Sequence, residues 1–152
     1  MQTFKGLSRG AKLVLSAGPV LLIGLFFNWQ TLRIDYGPAG VAEQPQDGWD
    51  LLGLVVGALV IAVVTLVVLR HMSDVEMSGD VPWEKLTLGL GATAFGLVVV
   101  KNLTDAGSTI ASYVFVGVAG VLALGTFLLW AETRETRRLQ LEGRDHEVSS
   151  AA

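Results

Sequence analysis

Long apolar blocks separated by short polar segments dominate this chain. A helix needs about 20 mostly apolar residues to cross a hydrocarbon layer roughly 30 Å thick. Four blocks approach or reach that length, at roughly 12–29, 49–69, 83–103 and 109–130. The run in the first is interrupted only by Ser16, Ala17, Gly18 and Pro19. The second is uncharged from Leu51 onward, with Thr65 as its one hydroxyl. The third is predominantly apolar from Leu86 to Val100 and then meets Lys101 and Asn102, while the fourth is uncharged throughout. Each block is longer than the about 4–8 residues of a strand, and none shows the alternation of a membrane barrel. A helix also satisfies its own backbone polar groups in lipid. The pattern predicts an all-α fold, a four-helix transmembrane bundle over 1–143, followed by a disordered cytoplasmic tail at 144–152.

The first block competes with a signal peptide, because Lys5, Arg9 and Lys12 precede it. No small-x-small cleavage site follows promptly, the nearest being Gly40-Val41-Ala42, so the helix is expected to be retained, with a kink at Pro19. Orientation follows from the basic residues. Lys5, Arg9 and Lys12, Arg70 and Lys85, and Arg134, Arg137, Arg138 and Arg144 place nine on one side; Arg33 and Lys101 are the two on the other. Such a bias predicts a multi-pass protein of the cytoplasmic membrane with both termini cytoplasmic. The tryptophans are expected to anchor the interfaces: Trp29 and Trp49 around the outer loop, Trp83 and Trp130 at the inner ends of the third and fourth spans.

The outer loop at 30–48 contains Gly37-Pro38, Pro45 and Asp47-Gly48, all turn chemistry. Val81-Pro82-Trp83-Glu84 reads as a helix start with Asp80 as N-cap, and Asp105 or Ser108 can cap the fourth helix. The fourth helix is expected to continue past the membrane through Glu135, Arg138 and Glu142 as a short solvated extension, with Gly143 as its stop.

Composition narrows the function. Of 152 residues, 51% are hydrophobic and 16% charged, against about 25% charged in a soluble domain. No cysteine is present, which removes disulfides, thiolate metal sites and a cysteine nucleophile. The net charge of −3 with no basic stripe gives no footprint for nucleic acid. Sorted by side, the cytoplasmic segments balance, and the outer loops carry the deficit through Asp35, Glu43, Asp47, Asp50 and Asp105.

Gly53 and Gly57 form a GxxxG pair, and Ala92 with Gly96 and Ala119 with Ala123 extend the small-xxx-small pattern. Small residues let helix backbones approach, so these are expected to pack the bundle internally or, as the competing reading, to form a homo-oligomeric interface. Lys101 is the most informative charge. It is read either as a stem that snorkels to the interface or as a ligand-binding charge paired with Asp105 four residues on. His71 and His146 have no metal-ligand spacing, and no paired intramembrane carboxylates, nucleophile elbow or phosphate loop appears. No catalytic residue, metal ligand or cofactor is therefore predicted.

Phe26-Phe27-Asn28-Trp29, followed by Gly48-Trp49-Asp50-Leu51-Leu52, resembles the aromatic exit and Gly-Trp entry of uncharacterised small four-span membrane proteins from actinobacteria. The resemblance implies architecture and carries over no site. Claudin-like proteins share a Trp in the first outer loop, but their cysteine pair and Gly-Leu-Trp motif are missing. The expected role is non-enzymatic, an accessory or interaction subunit in the lipid bilayer, on its own or in a homo-oligomer or larger assembly. The alternative is a small transporter or channel that forms a path by oligomerising.

Overall fold

The computed structural model describes residues 6–72, 81–105 and 107–150. Helix α1 spans Arg9–Gly24, strands β1 and β2 span Asn28–Asp35 and Val41–Asp47, and α2, α3 and α4 span Leu51–Met72, Trp83–Thr104 and Ile110–Ser150. The helices form a closed ring of neighbours: α1 packs on α2 and α4, and α3 packs on α2 and α4. Three of them, α2, α3 and α4, are long and apolar enough to cross a membrane.

The fold is mostly helical but not purely all-α. The outer loop is an antiparallel β-hairpin, turned by a 3-10 segment at Gly37–Ala39, where the sequence suggested turns alone. Its register pairs Arg33 with Glu43 and Thr31 with Pro45. Proline is tolerated on β2 because this is an edge strand. The hairpin escaped the sequence pattern because β2 is exposed along its whole length and carries no apolar alternation.

Helix α1 is shorter than the block that suggested it and does not reach Trp29. Ser8 caps its start, accepting a hydrogen bond from the Ala11 N–H at 3.2 Å. At its end the chain tightens into 3-10-like turns, with Phe26 N–H donating to Ile23 O and Phe27 N–H to Gly24 O. The terminal carbonyls then find partners outside the helix. Trp29 Nε1 donates to Gly24 O at 2.9 Å, and the Gly48 N–H donates to Leu25 O at 2.8 Å. Those bonds replace the intrahelical partners missing at a helix end.

Helix α3 begins at Trp83, as expected; Pro82 occupies its N-cap position without a side-chain cap bond, and Asp80 lies outside the described residues. Thr109, rather than Asp105 or Ser108, caps α4, its Oγ1 accepting from the Ser112 N–H at 3.4 Å. Gly143 does not stop α4: the helix runs through it to Ser150, so most of the segment read as a tail is helical. Nothing crowds Gly143 and its backbone is not left-handed, so no C-cap forms there.

The core is a valine-rich seam. Val56, Val60, Val63 and Val67 of α2, spaced by alternating fours and threes, meet Val14 and Leu21 of α1, Ala94 and Val98 of α3, and Phe115, Ala119 and Leu122 of α4. This spacing keeps one helical stripe facing its partners. The opposite faces are apolar as well: Ile23, Leu54, Ile61, Val100, Val114 and Leu124 are all exposed. An apolar exterior on every helix, including α1, suits a lipid surrounding.

The ring has two chemically distinct ends. The hairpin, Asp50, Lys101, Asp105 and Thr109 meet at one. Ser8, Arg70, His71, Glu84 and Glu132 gather at the other, where Lys85, Arg134 and Arg137 also line the surface around Glu84, and which we call the basic end.

Candidate functional site at the hairpin end

Lys101 is fully buried. It does not snorkel: its ammonium points into the protein, 2.5 Å from Asp50 Oδ2 and 2.9 Å from Asp105 Oδ2, and 5.7 Å from the Trp29 ring. The Asp105 contact is the i, i+4 pair expected on a helix. Asp50 comes from the turn before α2 and is the partner the sequence does not suggest. Its other oxygen accepts the Gly53 N–H at 2.8 Å, so this carboxylate caps α2 and ties it to α3.

Asp50 stands just before the segment Leu51–His71 that is long and apolar enough to cross a membrane, and its titration is shifted. Burial works to raise its pKa, but the hydrogen bond from Lys101, the N–H of Gly53, the Lys101 charge and the N–H of Leu52 outweigh this and hold it below its ordinary value. One cation between two carboxylates leaves a local excess of negative charge. Lys101 is thus committed to internal partners and offers little to an anionic ligand.

Trp29 is not an interface anchor. It is fully buried, stacked on Phe115 at 5.7 Å with planes 14° apart, and hydrogen-bonded to α1. Two strands of contact lock β1 above it: the Thr31 N–H donates to Gly107 O at 3.1 Å, and the Thr109 N–H donates to Trp29 O at 3.1 Å. Gly107 has φ +75°, and a Cβ there would lie 2.7 Å from Thr31 O, so the tight α3–α4 connection requires glycine. Trp49 packs edge-on against Phe26 at 5.1 Å and keeps its buried Nε1 without a hydrogen-bond partner, as does Asn102 Oδ1.

The small residues divide differently from their sequence spacing. Gly53 faces the Gly48 carbonyl, where any Cβ would collide, and so serves the start of α2. Gly57 packs against the Trp49 ring and Leu25. Ala119 is in the core and Ala123 is half-buried, whereas Ala92 and Gly96 lie exposed on α3, with nothing near Gly96. Close helix contacts also use glycines outside these pairs: a Cβ on Gly10 would meet Leu129 N at 2.6 Å, one on Gly125 would meet Val14 N at 3.0 Å, and one on Gly91 would meet Thr126 Oγ1 at 2.6 Å.

At the basic end Arg70 pairs with Glu84 at 2.9 Å, and Arg137 approaches the same carboxylate at 3.7 Å. His71 Nδ1 is 3.2 Å from Val67 O, and a buried oxygen of Glu132 has no hydrogen-bond partner. Trp83 and Trp130 are both half-buried at this end, and the Arg134 guanidinium lies 4.2 Å from the Trp130 ring centroid. Comparison with known proteins adds no relative: no family model, curated protein or solved structure matches the chain.

Proposed function

We propose that this chain is a four-span protein of the cytoplasmic membrane, with both termini inside, that works as a non-enzymatic accessory or interaction subunit. The observation that carries this reading is α4. It is one helix of 41 residues, about 61 Å at 1.5 Å per residue, roughly twice what a membrane crossing uses. Residues 134–144 are exposed throughout, and beyond the Arg137–Glu84 contact the helix projects from the basic end as a rod. Rods of this kind suit contact with another protein. The apolar seam between the helices leaves no polar path through one copy among the described residues. The charges at the hairpin end are turned on one another, which favours holding the fold together over chemistry on a substrate.

The second reading, an oligomeric transporter or channel, draws on the exposed small-residue face at Gly89, Ala92 and Gly96, where a second helix could approach closely. One experiment separates the two. A photo-crosslinking residue placed at Leu139, exposed on the rod, is expected to give a discrete adduct with a different membrane protein in native membranes. The purified chain in liposomes is expected to give no solute flux above protein-free controls. Flux in the liposomes, with only self-adducts at Leu139, would favour the transporter.

A further inference from the structure

We infer that the recess between the first turn of α3 and α4 binds the phosphate of an anionic phospholipid headgroup. It has a volume of about 160 Å³ and is lined by Glu84, Lys85, Trp130, Thr133, Arg134 and Arg137. Three cations thus face one carboxylate. That carboxylate is already engaged: one oxygen of Glu84 is held by Arg70 at 2.9 Å, with Arg137 at 3.7 Å. Lys85 and Arg134 form no ion pair among the described residues. Among the described residues, positive charge at the recess is therefore left uncompensated.

Geometry favours a phosphate. Arg134 lies over the Trp130 ring at 4.2 Å, which restricts its rotamers and keeps its N–H edge available. A planar guanidinium matches phosphate oxygens two at a time, and the Lys85 ammonium can add a point charge from the facing helix. Position favours a lipid as the source. Toward the membrane, α4 continues from Trp130 with Phe127, Leu124 and Val121 exposed at successive turns, and Phe127 touches the Trp130 ring at 5.7 Å. A headgroup in the recess would lay its acyl chains along this apolar line. Basic pockets at the cytoplasmic ends of membrane helices gain from the anionic inner leaflet in this way. The inference rests on the membrane reading and on its orientation.

Native mass spectrometry of the full chain in detergent tests it, with phosphatidylglycerol and phosphatidylcholine of matched acyl chains as probes. Phosphatidylglycerol is expected to be retained at least about fivefold more than phosphatidylcholine, the effect of one cation at a membrane surface. The double substitution Lys85→Gln/Arg134→Gln is expected to abolish the difference at an unchanged thermal midpoint, while Arg144→Gln, exposed farther along α4, retains it. Equal retention of the two lipids, or a preference that survives the double substitution, overturns the proposal. Millimolar inorganic phosphate that displaces phosphatidylglycerol completely would make the site one for a free anion and overturn the lipid assignment. A chain that stays monodisperse after detergent removal would instead sink the membrane reading, whereas a detergent-dependent chain without lipid preference sinks this proposal alone.

Discussion

A buried ammonium such as that of Lys101 costs several kcal/mol to desolvate, which is regained only where carboxylates meet it in good geometry. Asp50 and Asp105 do so from different elements, and this makes Asp50 the residue whose titration reports on the hairpin end. Its pKa is depressed in the folded protein, so around the carboxylate range the unfolded chain binds more protons than the folded one. Stability from this group is present above its unfolded pKa and is lost as pH falls through the lower folded value. The contribution of this group to the thermal midpoint in detergent is therefore expected to be constant above about pH 5 and to fall away below about pH 4. Asp50→Asn should lower the midpoint at neutral pH and flatten part of the acid limb. A variant with the wild-type acid limb would show that Asp50 contributes nothing through this contact. Half of the arrangement is legible in sequence, since Asp105 lies one helical turn from Lys101. Asp50 is not, because it lies 51 residues away and only the packing of α2 on α3 brings it close. Trp29 misleads for a related reason: an indole at the end of an apolar run can face lipid or face inward. Here it faces inward, donating to the Gly24 carbonyl at the end of α1 and stacking on Phe115.

Helix packing here depends on single glycines that meet a neighbouring backbone, and such sites leave no periodic trace. Gly10 and Gly125 set the α1–α4 crossing, and Gly91 makes room for Thr126 between α3 and α4. The GxxxG and small-xxx-small spacings were legible, yet spacing within one helix does not say which face meets a partner. Gly10 and Gly96 separate the two situations. Gly10→Ala would press a methyl onto the Leu129 backbone and is expected to cost about 1–3 kcal/mol, the usual penalty for overpacking. Gly96→Ala meets nothing and should stabilise α3 by about 0.5–1 kcal/mol through the better helix propensity of alanine. Thermal unfolding of both variants checks the pair. A destabilised Gly96→Ala, especially with a change in oligomer size, would place that face in an interface between copies. The element that sequence could not supply at all is the hairpin. Its strands pair with each other, and β1 is tied down by Gly107 and Thr109, contacts more than seventy residues away.

Across the whole molecule, α1 decides the number of crossings. Its 16 residues extend about 24 Å, short of the roughly 30 Å of hydrocarbon, and it is the one helix whose length does not by itself demand a crossing. Its surroundings argue that it crosses. It runs beside α2 and α4, exposes Val20 and Ile23 in the same apolar belt, and starts at Ser8 beside Arg70, His71 and Glu132 at the basic end. The turns at 25–27 then carry the chain to the hairpin at the opposite end. A chain without cysteine lets single thiols decide the matter. Gly6→Cys, Ala42→Cys and Glu142→Cys place them, all exposed, before α1, on the hairpin and on the α4 rod. With an impermeant maleimide, Ala42→Cys should be labelled on intact cells, whereas Gly6→Cys and Glu142→Cys should react only after lysis. Where α2, α3 and α4 each cross, three crossings separate positions 42 and 142 whatever α1 does, and those two then differ. Position 6 decides between three spans and four: labelling together with position 42 would leave α1 on the outer surface and reduce the spans to three.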